Sequence, residues 1–226
     1  MVHRQKRGVM EPLDYQNSSE AMQQAATDWR RRIFGVSKDD AWRALAAEIN
    51  ARHEPRGWCR SGRVIAEFKP WKMTLDTIQE GENQVVTRLR APFVNPSGFR
   101  FRIYRASIFS ELGKRLGMQD IVIGDAAFDQ AFIIQGNDDR YVRALLMDPQ
   151  LRAMIAAQPK IMLEVKDDDG WFGTSFPAGT DELKFTAQGV IKDLDRLRSL
   201  FDLFAATLTR LCEIGTATGD PPRVRL

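Results

Sequence analysis

Histidine and cysteine are almost missing from this 226-residue sequence: His3, His53, Cys59 and Cys212 are all there are. A structural zinc site needs cysteines or histidines at short, repeated spacing, and a disulfide framework needs several cysteines, so neither is expected. Histidine acid–base chemistry has only His53 to draw on within the folded part. His53 precedes Cys59 across a Pro/Gly turn, and nothing in the sequence orients the two as a thiol–imidazole pair. No apolar run approaches the roughly 20 residues of a spanning helix. The N-terminus, "MVHRQKRGVMEPLDYQ", has basic residues without an apolar stretch after them, which is not a secretory signal. A cytoplasmic location is therefore the expectation, with Met10 as an alternative start. Glycine-rich phosphate loops and a G-x-S-x-G nucleophile turn are also missing. Charge of one sign is scarce too, since 33 basic residues face 30 acidic ones for a net +3. Wholesale coating of nucleic acid does not follow from that balance, and a local patch has to be argued separately.

The hydrophobic fraction of 43% and the charged fraction of 28% are those of an ordinary globular chain with a sizeable core. Residues 1–36 are polar and read as an arm, helical near Trp29, Ile33 and Phe34, with Arg30, Arg31 and Arg32 as a solvated helix end. Residues 37–214 read as one α+β domain, and residues 215–226 as a disordered tail. In "SKDDAWRALAAEINARHEPRG", Ala41, Trp42, Leu45, Ala46 and Ile49 make a helical stripe, which Pro55 and Gly57 are expected to stop. Strands follow by alternation: Val64, Ala66 and Phe68, then Met73, Leu75 and Thr77, then "QVVTRLRA" and "GFRFRIYR" joined by the "NPSG" turn at 95–98. "SIFSELGKRLGM" reads as a short helix, and "DIVIGDAAFDQAFIIQGND" as a strand pair turning near Gly124 and Asp125. Asn137 or Asp138 caps the next helix. Asp148-Pro149 restarts another, with an acid at the N-cap and proline where its missing N–H costs nothing.

"KIMLEVKDDDGWFG" reads as a hairpin about Asp169-Gly170, and Leu183, Phe185 and Ala187 mark a further strand. The strongest element is last: Leu194, Leu197, Phe201, Phe204, Leu208 and Leu211 recur every three or four residues. Short turns between neighbouring strands predict a mostly antiparallel sheet built from hairpins. A long C-terminal helix and shorter flanking helices pack on it.

The row "FRFRIYR" sets arginines against aromatics. If the strands on either side of Asn95 form a hairpin, Arg90 falls opposite Arg100 and Arg88 opposite Arg102. Like charges directly opposed destabilise a sheet pair, so they need neutralising. Glu67 or Asp76 on a neighbouring strand is the internal candidate; a phosphate, nucleic acid or acidic partner is the external one. Nucleic acid is disfavoured, because sheet readers interleave exposed aromatics with the basic residues and only Tyr104 lies on this face. Arg88, Arg90, Arg100, Arg102 and Tyr104 are thus the candidate ligand-binding residues.

Glu164-Val165-Lys166 has the E-x-K form that metal-dependent nucleases use, one carboxylate for Mg²⁺ and a lysine for developing charge. Asp125 and Asp129 are the acids that reading would add. The acids of 167–170 do not make a calcium loop, since Val165 and Phe176 fall where ligands are required.

Two stretches, "TRLRAPFVNPSGFRFRIYR" and "LGMQDIVIGDAAFDQAFIIQGNDDRYVRALL", with "QPKIMLEVKDDDGWFG" and "DELKFTAQGVIKDLDRL" after them, resemble conserved prokaryotic proteins of unknown function that carry an FDxxFxIxGND-type signature. The resemblance spans residues 34–214 and brings no activity, cofactor or catalytic residue with it.

The expected function is a soluble binding or interaction module, with no metal or cofactor, for an unknown protein or anionic ligand. The alternative is a metal-dependent hydrolase or nuclease using Asp125, Asp129, Glu164 and Lys166. A third reading is a homodimer formed through the C-terminal helix.

Overall fold

Alternation of side chains along the strands settles which surface of the sheet is apolar. The computed structural model describes residues 35–55, 57, 62–81, 84–108, 119–167, 176–222 and 224. Its strands are β1 (Arg52–Glu54), β2 (Arg63–Phe68), β3 (Trp71–Glu80), β4 (Gln84–Val94), β5 (Phe101–Arg105), β6 (Gln119–Asp120), β7 (Phe132–Gly136), β8 (Met162–Lys166) and β9 (Thr180–Gln188). They form one sheet in the order β1-β2-β3-β4-β9-β8-β5-β7-β6, and each neighbouring pair is antiparallel. The α-helices among the described residues are α1 (Lys38–Glu48), α2 (Ala126–Ala131), α3 (Asp139–Leu146), α4 (Pro149–Ala156) and α5 (Leu194–Glu213), and residues Ala106–Ile108 form one 3-10 turn. The class is α+β, as the patterning predicts. All these elements lie in the compact unit Lys38–Leu226.

One face of the sheet is apolar: Val64, Met73, Leu75, Leu89, Phe93, Phe185, Leu163, Ile103 and Ile134 are buried in a single cluster. Leu197, Leu200, Phe201, Leu203, Phe204, Leu208 and Leu211 of α5 belong to the same cluster. The stripe that suggests a dimer seam is therefore buried in the chain's own core. Full burial of each such side chain contributes about 1.5–3 kcal/mol. Asp193 opens α5 by accepting from the Arg196 N–H. Helix α1 contributes Ala41, Trp42, Leu45 and Ala46, and the Trp42 indole donates to the Ile191 carbonyl at 3.0 Å. No described helix is long and apolar enough to cross a membrane.

Several expectations are corrected. The "NPSG" turn forms, with Gly98 at φ +63°, but it does not make a hairpin of β4 and β5. Strands β9 and β8 lie between them. β4 aligns eight residue pairs with β9, more ladder than the five residues of β5 can offer. Helix α1 ends at Glu48, before Pro55, because Asn50 turns left-handed at φ +52° and the Ala51 N–H returns to the Ala46 carbonyl. That frees residues 52–54 to form the edge strand. Between β6 and β7 the chain makes a helix, with Asp125 as the N-cap of α2 in place of a turn. The expected tail is also not free from residue 215: Thr216 and Ala217 are buried, and the Thr218 N–H donates to the Val94 carbonyl. The helix expected at 107–118 lies outside the described residues beyond Ile108. So do the Asp169-Gly170 turn, Cys59 and the arm around Trp29.

The FDxxFxIxGND phrase resolves into local structure. Phe128 and Phe132 stack with ring centres 4.5 Å apart. The Asp129 carboxylate accepts from the Ile123 and Gly124 N–H groups, both at 2.9 Å. Ile134 is buried in β7. Asn137 ties β5 to β7, accepting from the Arg100 N–H at 2.8 Å and donating to the Gly98 carbonyl at 2.8 Å. Asp138 caps α3. At Gly136 a Cβ would meet Val142 Cγ2 at 2.5 Å, with the Arg100 carbonyl at 3.4 Å. Val142 is β-branched and fixed in a helix, so it cannot yield freely. Gly136→Ala is expected to destabilise the protein by about 1–3 kcal/mol, read as a lower urea midpoint at unchanged m-value.

Candidate functional site

The second face of the sheet carries the charges, and the register lines them up. One row crosses seven strands: Thr74, Arg90, Lys184, Glu164, Arg102, Gln135 and Asp120 are successive partners. The next row holds Asp76, Arg88, Thr186, Met162, Tyr104 and Ile133. The arginines of β4 and β5 thus share a face, as alternation predicts, but they do not oppose one another. Carboxylates and a lysine from other strands stand beside or between them.

Arg88 meets Asp76 in a two-bond fork, Nε to Oδ1 at 2.9 Å and Nη2 to Oδ2 at 2.8 Å. Asp76 also accepts from Arg90 at 3.5 Å, and Arg90 Nη1 stands 3.8 Å from Glu182 Oε2. Of the two internal partners named from sequence, Asp76 takes this role. Glu67 instead sits 4.0 Å from Lys72 on an exposed part of the hairpin. Glu164 is the second hub: one oxygen accepts from Arg102 Nε and Nη2 at 2.8 and 2.7 Å, and the other pairs with Lys184 Nζ at 2.8 Å. Residue exposures of 9% for Arg88, 7% for Arg90 and 4% for Glu164 place these three out of water, while Arg102 and Lys184 are half-buried. Tyr104 is buried as well. Burial, and then the field of Asp120, raises its phenol above the ordinary tyrosine range.

Arg100 differs from the others. It precedes β5 and reaches two carboxylates at the end of the sheet: Asp181 through Nε at 3.3 Å and Nη2 at 3.1 Å, and Asp167 through Nη1 at 3.2 Å. Its side chain is 35% exposed, the most open of the four sequence-predicted arginines, against 16% for Arg102. The hydrogen bond to Asp181 raises its pKa further, against the opposing effect of burial. Lys184, Asp181 and Asp167 complete this constellation without having been singled out from sequence. Asp181 and Asp167 lie far along the chain from Arg100, which they meet, and Lys184 lies on a different strand from its partner Glu164.

The three acids of the metal-hydrolase reading are held by different partners. Asp125 caps α2 and pairs with Arg152 at 3.2 Å. Asp129 holds backbone N–H groups, and Glu164 sits between Arg102 and Lys184. Lys166 shares the charged face two residues beyond Glu164. Among the described residues, no group of three or more histidine, cysteine, aspartate or glutamate side chains is placed to hold a metal ion. Cys212, on α5, has its thiol pKa pushed up by burial, which lowers its thiolate fraction.

No family model matches the chain, and no curated protein matches it. Among solved structures, the crystal structure of the mycobacterial trehalose monomycolate transport factor A is similar to it. The TM-score is 0.48 with 8% sequence identity, over 83% of this chain and 98% of that one.

Burial opposes ionisation of Glu164, but Lys184 and Arg102 outweigh it and hold its carboxyl below the ordinary range. Its folded pKa thus lies below its unfolded one, so its stabilising contribution is full above about pH 4.3 and fades as pH falls through the folded value. Glu164→Gln is expected to be less stable than the wild type at neutral pH, with the gap closing in acid. Paired urea melts across that range read it directly.

Proposed function

We propose that this chain is a non-catalytic binding module whose charged sheet face recognises a carboxylate-rich protein surface or another anionic ligand, through Arg100 and Arg102. The supporting observation is that each of these guanidinium groups is fixed by a carboxylate from another strand while its side chain still reaches solvent. A guanidinium whose Nε and Nη2 are already fixed by an internal carboxylate loses little freedom when its remaining Nη1 edge meets an oxyanion. Arg88 and Arg90 take a different part in this reading. Their burial beside Asp76 makes them the support that keeps β4 in register, and the ligand contact falls to the β5 side.

A lattice of buried ion pairs is a poor source of stability, because desolvation consumes most of the Coulomb gain. A sheet face built this way fits recognition better than it fits stabilisation. The hydrolase alternative has no matching support, since its acids are held by caps, backbone groups and cations.

Binding of a fluorescein-labelled oligoglutamate peptide, followed by anisotropy at low salt, tests the reading. Arg102→Gln is expected to weaken it about tenfold, roughly 1.4 kcal/mol, with a melting curve showing that the fold persists. Wild-type affinity that ignores both this substitution and added salt would sink the proposal.

A further inference from the structure

Arg100 is held far more elaborately than an exposed arginine needs. Its backbone N–H donates to Asn137 Oδ1 at 2.8 Å, and its carbonyl accepts from the Asn137 N–H at 3.1 Å. Its Nε and Nη2 grip Asp181, whose carboxylate is buried. That carboxylate is itself fixed by Asn95 Nδ2 at 2.6 Å. Asn95 is fully buried too; it donates to the Phe99 carbonyl at 2.9 Å and accepts from Ser97 Oγ at 2.8 Å. Three side chains and a loop thus aim one guanidinium.

What that guanidinium is aimed at is of a different character. Its remaining edge, Nη1, meets Asp167, whose side chain is 65% exposed. An ion pair this open to water contributes little to stability, while the buried pair on the other edge sets orientation. The arrangement has two tiers: a buried carboxylate that positions the arginine, and a solvated one that occupies its outward edge.

Resting on the binding reading above, we infer that the outward edge of Arg100 is the docking point for a carboxylate of an acidic protein partner, and that Asp167 is a built-in occupant which the partner's carboxylate displaces. The exchange is one carboxylate for another of the same shape and charge, so the Arg100–Asp181 pair stays intact. Asp167 then lowers affinity in two ways, by competing for Nη1 and by repelling the incoming anion. Asn95, Asn137 and Asp181 are positioning residues that act through Arg100.

The same oligoglutamate probe tests this. Asp167→Asn removes a charge at an exposed site and is expected to bind about threefold more tightly than the wild type. Arg100→Gln should weaken binding, and Asp167→Asn should bring a clearly smaller gain in the Arg100→Gln background than in the wild type, because the competition for Nη1 passes through that arginine while only the weaker repulsion remains. If Arg100→Gln unfolds by leaving Asp181 without its cation, Arg100→Lys keeps the charge and should still bind more weakly than the wild type. Inorganic phosphate that displaces the probe from the wild type as well as free glutamate peptide does would overturn the carboxylate assignment. An Asp167→Asn variant no tighter than wild type, while Arg102→Gln still weakens binding, would overturn the displacement device and leave the wider reading standing. If no variant changes affinity, both fall.

Discussion

The pairing of cationic side chains with buried carboxylates across strands is the constraint on which the sheet depends. Asp76 serves Arg88 and Arg90, and Glu164 serves Arg102 and Lys184. A buried charge without its counter-charge is far more costly than the pair is favourable. A one-residue slip between neighbours would move a carboxylate into the apolar layer and leave an arginine behind. The ladder therefore fixes register in the middle of the sheet, where β3, β4, β9, β8 and β5 meet, by penalty more than by attraction.

The opposite face works by contrast. There the requirement is only apolar volume, and α1 and α5 join the strands' inward residues in one cluster. Apart from the Trp42 indole bond to the Ile191 carbonyl, the helix stripes satisfy that requirement by contact alone, so volume-conserving apolar swaps along them cost little. The two faces divide the labour: hydrophobic burial supplies free energy, and the ionic lattice penalises a shifted register.

That division explains what was legible in the sequence. Periodicity is a local property, so the strands carrying Val64, Leu75, Leu89 and Phe185 and the stripe of α5 could be read directly, as could the caps Asp138 and Asp148. Strand order is not local. Nothing near Asn95 signals that β9, almost a hundred residues on, outcompetes the adjacent β5 for β4. The same blindness hid half of the ion pairs: Asp76 lies one turn of hairpin from Arg88 and was found, whereas Glu164 meets Arg102 across a sequence gap of 62 residues. Helix α2 was missed because six residues are too short for a helical period to show. The FDxxFxIxGND phrase was visible as a pattern, and in the fold its residues pack and cap: stacked rings, a glycine under Val142, and an asparagine between two strands.

The late insertion of β8 and β9 between β4 and β5 has a consequence for the order of events in synthesis. Chain elongation delivers β1 to β4 as a contiguous antiparallel meander, and β5 to β7 as a second group. Neither group can complete its centre until residues 162–188 have left the ribosome. Until then β4 exposes a long unpaired edge bearing two arginines and Leu89, and the counter-charges of β5 are still unmade. Such an edge invites pairing with another nascent chain. The fold is closed from the middle by its last strands, so the nascent chain is most vulnerable just before they arrive.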